Sequence, residues 1–399
     1  MHYQAWLMIL VLWTIQAAEG CPDVCKCSKK SAPEKSEVNC HKKGLRAFPS
    51  RLPPDAWILK LGEYIMVDPI KPNNCCAPHS VMYLTWTSCT PEHCGKWLLC
   101  FIKGENGIID LKANALRSTP KVESINLERN AIKSIHHQAF SGGKQLMLLN
   151  LYGNHITSLP LKGFQDLLNL RFLMLGHNQI GSLKPQMFAG MRNLSDLDLP
   201  LNALTTLPSN AFKPLIALKV LDLSLNRIQK ISPKAFIGLR QLMFLNLDNN
   251  SLKNVPAGAF RPLRSLEMLV LDNNLLSMLG SSTLEGMENL QELYLRNNEL
   301  EHLPPDVFRK MAKLSQLALS GNRLKTVDGN VFAHMPDLKK LHLHDNMWQC
   351  DCNIASLVRW MGQTKATLSP RDALMCVSPP ELRKKSLSSL QADKLSCHE

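Results

Sequence analysis

The sequence predicts an α/β solenoid: a curved stack of coils with a concave parallel β-sheet, an irregular or 3-10 convex side, and a disulfide-bonded cap at each end. Three observations carry that prediction. Ten asparagines, at 130, 154, 178, 202, 226, 250, 274, 298, 322 and 346, recur at intervals of 24 residues. Around each runs the frame L-x-x-L-x-L-x-x-N-x-[LI], as in Leu242, Leu245, Leu247, Asn250 and Leu252. Four cysteines precede the repeats (Cys21, Cys25, Cys27, Cys40) and four follow them (Cys350, Cys352, Cys376, Cys397).

Each element of the frame has a physical reason. L-x-L is a short strand whose alternate side chains point inward, so that successive units stack into a parallel sheet. The asparagine stands where the chain turns inward after the strand. Its amide both donates and accepts, and can satisfy turn groups that would otherwise be buried unpaired. Ten residues later a large apolar residue fills the convex side: Phe140, Phe164, Phe188, Phe212, Phe236 and Phe260, then Leu284, Phe308 and Phe332. A coil buries its apolar face only against its neighbours, so the two ends need covers.

These motifs resemble the secreted extracellular leucine-rich repeat proteins of the typical 24-residue class, over residues 21–62 and 105–397. The resemblance implies a leucine-rich repeat solenoid, and it extends to matrix and plasma members such as chondroadherin, leucine-rich alpha-2-glycoprotein and the carboxypeptidase N large subunit. The N-terminal spacing C-x3-C-x-C-x12-C allows three connectivities by itself; the resemblance implies Cys21–Cys27 and Cys25–Cys40. At the C-terminus it implies Cys350–Cys376 and Cys352–Cys397, with Trp348 and Trp360 covering the last coil. Met347 stands where the family often has Pro.

The chain has 399 residues and a net charge of +13. Residues 1–20 hold a short apolar run ending in small residues, read as a signal peptide although no Lys or Arg precedes the run. The domain reading that follows is a Cys-rich cap at 21–52, repeats at 53–62 and 105–345, and a second cap at 346–399. No later stretch is long and apolar enough to span a bilayer. The expected location is secreted and extracellular, where disulfides outweigh a zinc reading of the cysteines.

Residues 63–104 interrupt the first coil. Counting back 24 from Asn130 reaches Asn106, but Phe101 and Lys103 stand where aliphatics belong. Joining Gly62 to Glu105 restores the frame, with Leu59, Leu61 and Asn106 in register. The interposed segment holds five cysteines: Cys75, Cys76, Cys89, Cys94 and Cys100. Three readings stay open: a Cys-rich loop, a small domain, or translated intron. Gly62-Glu63-Tyr64 admits a splice-donor-like codon sequence, and Lys103-Gly104 admits an acceptor AG.

The outward strand positions form the candidate binding face. They carry seven acids against Lys340 and Arg296, although the chain as a whole is basic. Apolar residues cluster at Leu148, Tyr152, Phe172 and Met174, and again at Phe244, Met268, Val270 and Tyr294; Asp198, Asp222, Asp248 and Asp272 complete the set. Such a face suits an extracellular protein ligand with a basic, partly apolar surface. Cap cations (Lys29, Lys30, Lys42, Lys43, Arg46, Arg51, Arg383, Lys384, Lys385) are candidates for glycosaminoglycan or collagen. Asn193 and Asn249 open N-glycosylation sequons.

No nucleophile elbow, zinc-helix, phosphate-loop or dinucleotide motif is present, so neither catalysis nor a cofactor is expected. Asp198 and Asp222 are neighbours without a cleft, and His342, His344 and Asp345 read as solvated strand positions rather than a metal site. No nucleic-acid module is present. Binding scaffold is the leading reading; a regulatory or inhibitory subunit of a secreted enzyme, of carboxypeptidase or phospholipase A2 type, is the alternative.

Overall fold

The computed structural model describes residues 25–29, 36–40, 44–49, 56–60, 106–117 and 119–397. The signal-peptide reading, Cys21, the side chain of Cys27 and all of 63–104 lie outside the described residues.

One 14-stranded sheet runs the length of the molecule. Lys26–Lys29 and Ser36–Asn39 form an antiparallel hairpin at its N-terminal edge. Ala56–Lys60 follows in parallel, and then ten three-residue strands from Ser124–Asn126 to Lys340–His342, each in register with the next. Successive strands begin 24 residues apart because one coil carries one strand. The inward leucines, such as Leu197, Leu221 and Leu245, are fully buried.

The asparagines join coil to coil. The carboxamide of Asn226 accepts from Leu204 N at 3.1 Å and donates to Leu199 O at 2.9 Å and Leu223 O at 3.1 Å. The same pattern recurs at Asn154, Asn250 and Asn322. On the convex side the phenylalanines stack: Phe140 on Phe164 at 5.6 Å, and Phe188, Phe212, Phe236 and Phe260 in a file at 5.7–6.3 Å. Leu284 ends that file and is itself buried.

The first coil has an unequal step. Ile58 pairs with Ser124 and Leu59 with Ile125, a separation of 66 residues where other coils have 24. The excess, 66 less 24, is 42. Asn106 takes the ladder position of this coil, accepting from Leu45 N at 3.1 Å and donating to Cys40 O at 2.9 Å.

Both ends are covered. Cys25–Cys40 closes the N-terminal hairpin, and Cys350–Cys376 and Cys352–Cys397 tie the C-terminal segments together. Trp348 is fully buried beneath the last coil, and Trp360, on the helix Ala355–Gln363, packs on Phe332 at 4.6 Å.

Candidate functional site

The outward face of the strands divides into three zones. In the N-terminal zone Leu148 pairs in register with Phe172, and Asn150 with Met174. Phe172 is 40% exposed; Leu148, Met174 and Tyr152 are half-buried. Gly176 makes room for this group. A Cβ there would lie 2.9 Å from the Tyr152 ring and 3.1 Å from Pro200 Cγ. The glycine therefore lets both residues close over it, and Tyr152 also stacks on His177 at 5.8 Å.

The middle zone is acidic. Met174, Asp198, Asp222 and Asn246 occupy one register row across four strands. Asp222 is buried and well partnered: Ser224 N donates to it at 2.8 Å and Asn246 Nδ2 at 2.9 Å. Asp198 is partly exposed, and no described group forms a hydrogen bond or ion pair with its carboxylate. Burial, followed by the neighbouring Asp222 and Asp196 carboxylates, pushes its pKa up to about 7. Burial also raises Asp196, opposed by the Ser195 hydroxyl and the Lys219 charge.

In the C-terminal zone Phe244 pairs with Met268, and Val270 with Tyr294, but Val270 is buried and so does not join the exposed cluster expected there. Their acids are turned into internal networks. Asp248 is buried and accepts from Asn249 and Asn273, each at 2.7 Å. Asp272 is buried and held by Arg296, whose Nε lies 2.8 Å away and whose backbone N–H donates at 2.6 Å. The same guanidinium covers the Tyr294 ring at 5.2 Å, and the Tyr294 hydroxyl donates to Glu292 at 2.5 Å. Burial is the main cause that raises the Tyr294 hydroxyl above its ordinary value. Asp222, Asp248 and Asp272 are thus structural acceptors more than exposed contacts, since their carboxylates are engaged by Ser224, Asn246, Asn249, Asn273 and Arg296.

A rim borders the strand columns. The residue before each ladder asparagine is in the left-handed backbone region, including Arg129, His177, Asn249, Asn273 and Asn297. At this position Leu201 (φ 55°) and Leu225 (φ 54°) stand on adjacent coils, 39% and 43% exposed. A bulky apolar residue is costly in that backbone region and in water. Its signal was available in the sequence as Leu where neighbouring repeats use Asn, Gly or His.

Nothing described points to catalysis. A cleft of about 720 Å³ is lined by Asp110, Ser134, His136 and Pro160, away from the concave strands. There the Ser134 hydroxyl donates to Asp110 and His136 Nδ1 accepts from Gln138 N. Among the described residues no group of three or more His, Cys, Asp or Glu is placed to hold a metal ion. His342 Nδ1 lies 2.9 Å from Ser369 O, and His344 pairs with Asp345 at 2.7 Å. The sequon side chains Asn193 and Asn249 are both exposed.

The Leucine rich repeat model matches in nine overlapping windows from residue 104 to 347, and the Leucine rich repeat N-terminal domain matches 20–53. The chain belongs to the leucine rich repeat family. Within it, Leucine-rich glioma-inactivated protein 1 of Homo sapiens is 36% identical over 52 residues, 13% of this chain and 9% of that protein; the Rattus norvegicus protein matches equally. The alignment therefore spans less than a tenth of these leucine-rich repeat relatives. A chain of the solved octameric complex of Latrophilin 3, Unc5D and the LRR of FLRT2 superposes with a TM-score of 0.72 at 24% identity, covering 95% of this chain and 100% of that one. An LRR protein of Leptospira interrogans gives 0.50 at 23% identity, over 66% of this chain and 72% of its own. Both structures share the leucine-rich repeat fold. Among the described residues no helix is long and apolar enough to cross a membrane.

Proposed function

We propose that this leucine-rich repeat protein is a secreted, non-catalytic scaffold of the extracellular matrix or plasma, of the chondroadherin or leucine-rich alpha-2-glycoprotein kind, and holds a protein partner on its concave face. One observation carries the reading: exposed Phe172, with Tyr152 and Met174, borders Asp198, a carboxylate without a described partner, and the rim leucines Leu201 and Leu225 stand beside them. Uncovered apolar side chains around an acidic centre suit a protein surface that brings aliphatic or aromatic groups with a lysine or arginine. That the LRR of FLRT2 stands in a complex with other proteins supports a protein as partner class. The N-terminal cap match and the cap disulfides support an oxidising, extracellular setting. Glycosaminoglycan or collagen is the second class of partner in this reading.

The test is a pull-down from the secreting fluid with the wild-type protein and the double variant Phe172→Ala/Tyr152→Ala. Loss of the captured protein is the expected result. Undiminished capture would place the partner elsewhere and remove the apolar concave site.

A further inference from the structure

The edge where the chain enters each strand carries a file of unpaired cations. Lys144, Arg171, Arg192, Lys219, Arg240 and Arg264 are all exposed, and none is in an ion pair with a described residue. They lie along one edge because the coils are joined there. Arg171 N donates to Met147 O at 2.8 Å, Ser195 N to Arg171 O at 2.9 Å, Lys219 N to Ser195 O at 2.8 Å, and Met243 N to Lys219 O at 2.9 Å. A second line of bonds runs just before it, with Asn169 Nδ2 donating to Lys144 O at 3.0 Å and Asn193 Nδ2 to Leu168 O at 2.9 Å. Neighbouring strands are about 4.8 Å apart, so the six coils from Lys144 to Arg264 place their cations along roughly 25 Å. Lys219 also acts electrostatically on Asp196; Glu123 precedes Met147 in the bonded row, Asp166 Oδ2 accepts from Gly142 N near Lys144, and Glu267 follows Met243 at the far end.

We infer that this edge is a binding track for a linear sulfated polysaccharide. One cation per coil, shared between two neighbouring rows, matches a chain that carries anionic groups along its length better than it matches a compact anion. The interleaved Met147, Leu168, Ile216 and Met243 are exposed, and offer aliphatic surface to the C–H faces of sugar rings. The six cations outnumber the acids that border them, and a net positive edge gives the long-range attraction that gathers a polyanion. This inference deepens the polyanion part of the reading above and moves it from the caps to the edge. Asn193 lies on the track, so a glycan on its sequon would stand between Arg192 and the incoming chain.

The test is binding of a heparin oligosaccharide to full-length secreted protein carrying Asn193→Gln, which removes the sequon from the track. Reversing Arg192→Glu and Arg240→Glu should weaken binding about tenfold or more near 0.15 M salt. It should also reduce the slope of log affinity against log salt by about two, one for each lost contact. Reversing the cap residues Arg383→Glu and Lys384→Glu should change affinity less than about twofold. Neutral Lys219→Gln/Arg264→Gln gives a second, milder reading of the same edge, and an unchanged melting temperature checks each fold. Absence of heparin binding, full affinity after the edge reversal, loss on cap reversal alone, or binding to phosphatidylserine vesicles but not to heparin would each overturn the proposal. None of these outcomes bears on Phe172 and Tyr152, so the concave-face reading stands or falls separately.

Discussion

Asp198 and Asp222 lie opposite each other on adjacent strands, yet of the two only the Asp222 carboxylate receives hydrogen bonds from the described residues. Asp222 is held by Ser224 and Asn246, whereas burial, and then the neighbouring Asp222 and Asp196 carboxylates, push Asp198 up to about 7. Its folded pKa is above the unfolded value of 3.8. The protonated carboxyl therefore suits the fold, and its contribution, fully present below about pH 4, is lost as pH rises through about 7. Asp198→Asn should stabilise the protein by about 1–2 kcal/mol at pH 8, discounted for partial exposure, and by almost nothing at pH 3.5. Urea unfolding at the two pH values checks this. An equal gain at both would mean that charge is not the cause.

If a basic group of the partner meets Asp198, affinity should rise between pH 6 and 8 as the carboxylate ionises. Asp198→Asn should flatten that rise. The measurement is affinity against pH for both proteins with the captured partner, and a pH profile that the substitution leaves unchanged assigns the dependence to other groups.

Arg296 neutralises buried Asp272 and also covers Tyr294. Arg296→Met keeps the aliphatic contact and removes the charge, leaving Asp272 buried without a cation. The expected loss is about 1–2 kcal/mol at pH 7, below that of a fully buried pair because the guanidinium is half exposed. Burial already raises the Asp272 pKa, so acidification should shrink the loss as the carboxyl protonates. Thermal melts at pH 7 and pH 4 compare the two.

Asn226→Ala removes an acceptor and a donor amide; it strands Leu204 N–H inside the core, while Leu199 O and Leu223 O keep the Asn202 and Asn250 amides as donors. A destabilisation of about 2 kcal/mol is expected, since a stranded buried polar group costs about 1–3 kcal/mol. A denaturant midpoint within error of wild type would show that the ladder bonds are replaceable.

Leu225→Asn places a residue that tolerates the left-handed region where a leucine is now strained and exposed. Stability should rise by up to about 1 kcal/mol. Partner capture should fall, because the rim loses apolar surface. A stabilised variant with full capture would exclude the rim from the binding surface.

The architecture was legible because repetition makes local pattern and global packing the same statement. The 24-residue spacing of Asn130 to Asn346 states the coil length, L-x-L states which side chains point inward, and both are satisfied by contacts with the next identical coil. The cap pairings Cys25–Cys40, Cys350–Cys376 and Cys352–Cys397 came by resemblance, and they formed in the fold. The character of the surface was not legible in the same way. Alternation assigns Asp222, Asp248 and Asp272 to the outside, but it does not show that they are buried or that Arg296, Asn246 and Asn273 engage them. Nor does it show that Leu201 and Leu225 reach the rim, or that cations far apart in sequence, such as Arg192 and Arg240, line one edge. Sequence by itself determined the coil, its core and its length. Tertiary structure alone decided which polar groups are spent internally and which remain for a partner, because hydrogen bonding and exposure depend on neighbours 24 residues away and on turn geometry, not on the alternation of one strand.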